Sequence, residues 1–196
     1  MSHYYDASPA GPIRKTKITA ELRGRTITFY SANGIFSAKH VDNATRLLIE
    51  ECQISEGHSI LDLGCGYGIV GIALKTAFPG CSVVCTDINS RAVRITRENT
   101  RMLGLDVDVR QGEIYEPVND ERFDTICTNP PYVAGRETCF AFIQGARDHL
   151  VPGGALQLVA RHNKGGKVLS MKMQDVFGNV ETLAKRGGFR VYRSRL

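Results

Sequence analysis

A chain of 196 residues with 42% hydrophobic and 23% charged residues has the composition of an ordinary soluble globular protein, and its length fits one domain with a full core. No apolar run approaches the roughly 20 residues that span a bilayer, and Met1–Asp6 carry no basic patch followed by an apolar stretch, so a cytoplasmic protein without membrane contact or secretory leader is expected. The net charge of +5 suits a nucleic-acid partner and suits equally well strand edges kept soluble by Lys and Arg.

Residues 1–12 are small, polar and proline-containing and read as a flexible tail ahead of a single domain at 13–196. Residues 16–23 and 25–30 read as two short strands around Gly24, a hairpin extension that occupies 13–41 with the Asn33-Gly34 turn. Asp42 is placed to cap a helix over 43–53, which opens the core at 42–196. Strand and helix then alternate: strand 59–63, helix 68–78 stopped by Pro79-Gly80, strand 82–87, helix 90–103 ended by Gly104, then strands at 106–110 and 123–128. A helix over 137–150 ends at Val151-Pro152-Gly153-Gly154, and strand 155–160, a weaker helix near 165–176 and strands at 179–184 and 189–194 joined by Gly187-Gly188 complete the chain. The alternation predicts an α/β fold with a doubly wound, seven-stranded, mostly parallel sheet. The short last connection requires an antiparallel C-terminal strand.

The cysteines at 52, 65, 81, 85, 127 and 139 form no Cys-x-x-Cys pair, so buried thiols are expected, with no metal and no disulfide. Basic residues gather near both ends, Arg14, Lys15, Lys17, Arg23 and Arg25 at the start and Lys185, Arg186, Arg190, Arg193 and Arg195 at the finish. If the two groups share a face, they form a surface for a polyanion.

Three segments carry chemistry. In Asp62-Leu63-Gly64-Cys65-Gly66-Tyr67-Gly68, a strand runs into alternating glycines and then a helix. Glycine lets a ligand approach the main chain, and the following helix offers unpaired N–H groups. The spacing Gly-x-Gly-x-Gly departs from the Gly-x-Gly-x-x-Gly of dinucleotide sites. Asp87 closes the next strand, where a carboxylate faces the ligand crevice and can accept from a ribose diol, with Ile88 beside it. Glu113, after the following strand, is a candidate for an adenine amino group. Asn129-Pro130-Pro131-Tyr132 follows strand 123–128. Its prolines remove two donors, leaving the Asn129 side-chain oxygen and the Pro130 carbonyl as rigid acceptors for a planar amine, with Tyr132 to stack on it. Phe36 and Pro131 are candidate walls of that substrate pocket.

Gly64-x-Gly-x-Gly68, Asp87 and Asn129-Pro-Pro-Tyr132 resemble the motifs of class I methyltransferases that modify exocyclic amines. More narrowly, the chain resembles the methyltransferase small domain family, which includes 16S ribosomal RNA guanine-N2 methyltransferases. That match rests on Asn33-Gly34-Ile35-Phe36-Ser37, Asp42, Thr45-Arg46-Leu47-Leu48, Phe177-Gly178-Asn179-Val180-Glu181 and Gly188-Phe189-Arg190-Val191-Tyr192-Arg193. The two-domain bacterial members carry a further half and usually read Asn-Pro-Pro-Phe, so the chain is more similar to single-domain, archaeal-type members.

The resemblance implies S-adenosyl-L-methionine as cofactor, held by Asp62, Gly64, Cys65, Gly66, Gly68, Asp87, Ile88, Glu113 and Asn129. It implies Asn129, Pro130 and Tyr132 as catalytic residues, and RNA, with an unpaired or flipped guanosine, as partner. A protein glutamine-N5 or an adenine-N6 acceptor stays open, as does a non-catalytic RNA scaffold. The oligomeric state is open, with a monomer favoured.

Overall fold

The computed structural model describes residues 7, 8 and 11–196. Residues 1–6, 9 and 10 of the expected tail lie outside the described residues. Two carbonyls of that segment are engaged: Ala7 accepts from the Ser90 amide at 2.9 Å, and Gly11 from the Arg91 guanidinium at 2.8 Å.

Strands β1 (Lys15–Leu22) and β2 (Arg25–Ala32) pair antiparallel in a separate two-stranded sheet. Their turn, Arg23-Gly24, has φ of 48° and 68°, the left-handed pair that a two-residue hairpin turn needs. Alternation buries Ile18, Ala20 and Leu22 on one face. The hairpin is fastened to helix α3 (Ser90–Met102), where the Asn99 side chain donates to the Tyr30 carbonyl and accepts from its amide, both at 2.8 Å.

Helix α1 (Asn43–Glu51) begins at Asp42, whose carboxylate accepts from the amides of Ala44 and Thr45. The main sheet then builds through β3 (Ser59–Leu63), α2 (Ile69–Ala77), β4 (Ser82–Asp87), α3, β5 (Asp108–Gln111), β6 (Phe123–Thr128), α4 (Arg136–Ala146), β7 (Leu150–Arg161), α5 (Lys167–Phe177), β8 (Glu181–Arg186) and β9 (Phe189–Arg195). Its order is β5-β4-β3-β6-β7-β9-β8 in one 7-stranded sheet. Only β9 runs against its neighbours β7 and β8. The chain winds outward from β3 to β5 and then returns to β6 on the other side of β3. This opens a crevice at the carboxyl ends of β3 and β6.

Successive strand residues face opposite layers. Ile60 joins the core under α1–α3 and the hairpin, whereas Leu61 joins the core under α4 and α5. All six cysteines are buried thiols. No described helix is long and apolar enough to cross a membrane.

Two of the boundaries that differ from expectation have a local cause. The helix expected over 137–150 stops at Ala146, because Leu150 already pairs with Phe123 and β7 runs on through Pro152-Gly153-Gly154 as a bulge. Gly154 is pressed there against carbonyls, and a Cβ on it would lie 3.0 Å from the Phe123 oxygen. The helix expected from 165 starts at Lys167, because Gly165 sits at φ 99° and ends the preceding turn.

Candidate active site

The strand ends converge on one cleft of about 620 Å³. The glycine turn forms its floor. Gly64, Gly66 and Gly68 have φ of 73°, 60° and 82°, a region closed to most side chains. The turn is pinned to β4, since the amides of Gly64 and Cys65 both donate to the Thr86 carbonyl at 2.9 Å. It is pinned to α3 as well, where the Thr96 hydroxyl donates to the Gly66 carbonyl at 3.0 Å and the Thr96 side chain occupies the space a Cβ on Gly68 would need. The Cys65 side chain is buried.

Two carboxylates support the turn. Asp62, 2% exposed, accepts from the Gly71 amide at 2.9 Å, satisfying one of the first unpaired N–H groups of α2. Burial pushes its carboxyl up to about 7. Asp87 accepts from the Gly66 amide at 2.7 Å on one oxygen and from the Asn89 amide at 2.9 Å on the other. Each oxygen keeps a second lone pair, so the group can still accept from a diol. Burial raises it to about 6.

Beyond β5, the Gly112 amide bonds the Asp87 carbonyl at 3.1 Å and brings the exposed Glu113 to the cleft beside Ile88. The next residue, Ile114, has φ 49°, an uncommon conformation for a β-branched residue, and it also lines the cleft.

Asn129 stands at the end of β6, across the crevice from the glycine turn. Its Nδ2 donates to the Thr45 hydroxyl oxygen at 3.0 Å and lies 3.4 Å from Asp42 Oδ2. The Thr45 hydroxyl in turn donates to Asp42 Oδ2. The directions follow from the end of the chain: a carboxylate only accepts, so Thr45 must donate to it, and the Thr45 oxygen is then the acceptor for the Asn129 amide nitrogen. The carboxamide is thereby oriented, and its Oδ1 is left for another donor.

Pro130 is buried and Pro131 half-buried, both on the cleft wall. The Tyr132 ring lies between the cleft and a small cavity of about 150 Å³ bordered by Cys139, Val168 and Leu169. Among the described residues its buried hydroxyl has no hydrogen-bond partner, and burial raises the phenol well above its ordinary value. The backbone of Gly165 closes over that ring, with a Cβ position 3.0 Å from Tyr132 Cε1. Phe36, 40% exposed, stands on the opposite lip.

The cleft thus brings together the candidate residues named from the sequence except Gly68, which caps α2 at the end of the turn and does not line the cleft. It adds Thr45 as the partner of Asn129, Phe142 packed 3.4 Å from the Cβ position of Gly64, and the rim residues Arg161, Lys164 and Phe189. Asp42 and Thr45 carry the spacing of a helix cap in the sequence. Their reach to a residue more than 80 positions on has no sequence signal.

The basic clusters are partly spent on structure. Lys15 pairs with Glu98 at 2.5 Å, Arg23 donates to the Ile49 carbonyl at 2.6 Å, and Arg193, 8% exposed, pairs with Glu181 at 2.5 Å.

The sequence profile of the methyltransferase small domain family matches residues 26–193. An uncharacterized protein of Bacillus subtilis (strain 168), YbxB, is 33% identical over 98% of each chain. The ribosomal RNA small subunit methyltransferase C of Haemophilus influenzae (strain PittGG) is 31% identical over 85% of this chain and 50% of its own. The chain therefore spans about half the length of that relative. A solved structure of the T. thermophilus 16S rRNA N2 G1207 methyltransferase RsmC, in complex with AdoMet and guanosine, superposes with a TM-score of 0.83 at 28% identity, over 95% of this chain and 52% of that one.

Proposed function

The chain belongs to the methyltransferase small domain family, and from that premise we propose that it transfers the methyl group of S-adenosyl-L-methionine to an exocyclic amine, guanine N2 of ribosomal RNA, in the cytoplasm. The observation that carries the choice of an amine is the oriented carboxamide of Asn129. A site made of acceptor oxygens, Asn129 Oδ1 and the Pro130 carbonyl, suits a group with two N–H donors and offers nothing to a carbonyl or a carboxylate. The guanosine bound by the T. thermophilus relative supports guanine as the base.

The cofactor half fits. The open glycine turn, the lone pairs left on Asp87 and the Glu113 carboxylate offer the contacts that a nucleoside with a zwitterionic tail requires, in a volume ordinary for a ligand cleft. The cofactor supplies an activated methyl on a sulfonium. The chain's own residues supply alignment. Asn129 Oδ1 and the Pro130 carbonyl take one amine hydrogen each and favour the pyramidal nitrogen that develops during transfer. Tyr132 and Pro131 wall the base plane. The nitrogen becomes acidic as it is alkylated, so it gives up one proton to water at the open cleft, the thioether leaves with the sulfonium's bonding pair, and the site needs no strong base.

The test is transfer of tritiated methyl groups from S-adenosylmethionine to ribosomal subunits, free ribosomal RNA and protein fractions, followed by nucleoside mass spectrometry. N2-methylguanosine in the RNA is the expected product. Label confined to protein, or N6-methyladenosine in its place, overturns the assignment.

A further inference from the structure

We infer that the turn after β7, residues 161–167, forms with the β8–β9 hairpin a basic rim that docks the sugar–phosphate backbone of the substrate strand. The inference rests on the reading of the site as one that takes a nucleobase, and it adds where the rest of the strand lies.

The candidate cofactor residues sit at the ends of β3, β4 and β5, which form one half of the sheet. Asn129 sits at the end of β6, and beyond it come β7 and β9. A base whose amine reaches Asn129 meets the cofactor on one side. Its ribose and flanking phosphates therefore leave over β7 and β9. Arg161, the last residue of β7, pairs in register with Phe189, the first of β9, and both line the cleft together with Lys164.

The chemistry of that rim is cationic. The Arg161 guanidinium lies 5.8 Å from the centre of the Phe189 ring, a stack that holds its planar fork without consuming its charge. Lys164 adjoins Gly165, whose backbone rests on Tyr132, so a charge stands one residue from the wall of the base pocket. Around the same turn, the His162 imidazole is held below its ordinary value, by desolvation first and then by the charges of Arg190, Lys167 and Lys185.

Five cations thus surround one short turn: Arg161, Lys164, Lys167, Lys185 and Arg190. Among the described residues none of them is in an ion pair, whereas Lys15, Arg94, Arg110, Arg186 and Arg193 all are. Cations left without acids beside a cleft meet a polyanion, and an Arg with a neighbouring Lys is the pair that reads phosphate.

The experiment measures binding of a fluorescein-labelled, single-stranded oligoribonucleotide with a central guanosine across roughly 50–200 mM salt. It compares wild type, the double variant Arg161→Gln/Lys164→Gln, and a control of equal charge loss, Arg101→Gln/Arg122→Gln. Arg101 and Arg122 are exposed, on the last turn of α3 and just ahead of β6. The rim variant is expected to bind about tenfold more weakly, with a log–log salt slope shallower by about 1.4, the share of two phosphate contacts on a single strand. The control should match wild type.

Equal losses in both variants would mean a diffuse field and would overturn the rim, as would a rim variant indistinguishable from wild type. A wild-type protein that methylates RNA while the rim variant binds it unchanged sinks the rim alone. A wild-type protein that binds no RNA and labels only protein sinks the proposed acceptor as well.

Discussion

Asn129 is held by a chain of donors that ends on a carboxylate, and this decides what its substitution should do. Removing Oδ1 in Asn129→Ala should cost about two orders of magnitude in single-turnover methyl transfer, as loss of one transition-state hydrogen bond does elsewhere. Cofactor affinity by calorimetry should stay near wild type, and near-normal turnover would remove the basis for an amine acceptor. Thr45 separates orientation from contact. Thr45→Val removes the oxygen that Asn129 Nδ2 bonds at 3.0 Å and frees the carboxamide to turn over. Transfer should fall by roughly tenfold, and Thr45→Ser should restore it. Restoration by Ser is the outcome that a packing role for the Thr45 methyl does not give. Tyr132→Phe takes away a buried hydroxyl that has no partner among the described residues, so thermal unfolding should show equal or higher stability, and transfer should change little. Tyr132→Ala loses the ring itself and should be severe.

At the scale of elements, the turn between β3 and α2 is the most constrained piece of backbone in the site. Gly68→Ala meets two obstacles, the φ of 82° and the Thr96 side chain. It should destabilise the fold by roughly 1–3 kcal/mol in chemical denaturation and weaken the cofactor with it. Thr96→Ser removes the obstructing methyl while keeping the hydroxyl bonded to Gly66, so the double variant should recover part of the loss. No recovery would mean that backbone strain alone sets the cost. The alternation of strands and helices, the hairpin and the antiparallel last strand were legible from periodicity, glycines and caps. The clean start of β7 was not. Val151-Pro152-Gly153-Gly154 has the composition of a terminator, and only the pairing of Leu150 with Phe123 carries the strand through it. The candidate site was legible where its lining follows from backbone chemistry, as in the glycine turn and the paired prolines that the cleft brings together. It was not legible where two distant segments meet, as Thr45 and Asn129 do, or where a cation's role depends on whether an acid stands beside it. Arg193 and Arg161 are the same residue type with opposite fates, one buried against Glu181 and the other at the cleft with no ion pair among the described residues.

For the whole molecule, the buried acids under the glycine turn set stability and cofactor affinity against each other. Asp62 and Asp87 have ordinary values of 3.8 and are raised by burial to about 7 and about 6. Between about pH 4 and pH 7 the folded protein then binds more protons than the unfolded chain, so the unfolding free energy falls as pH rises through that window and levels off above it. Binding of a ribose diol draws on the ionised Asp87, which is half ionised near pH 6, so cofactor affinity should be full above about pH 7 and fall as pH drops through about 6. Thermal unfolding from pH 5 to 8, with and without saturating S-adenosylmethionine, should therefore show a ligand-free midpoint that climbs toward acid while the shift produced by the ligand shrinks. His162, held below its ordinary value, works in the opposite direction, so the informative quantity is the difference between wild type and Asp62→Asn. An Asn at this position can still accept from the Gly71 amide but carries no charge to bury. The variant should gain on wild type as pH rises and hold a constant lead above about pH 7. A difference that stays flat from pH 5 to 8 would show that the Asp62 carboxylate ionises freely in the folded state and that its burial carries no cost.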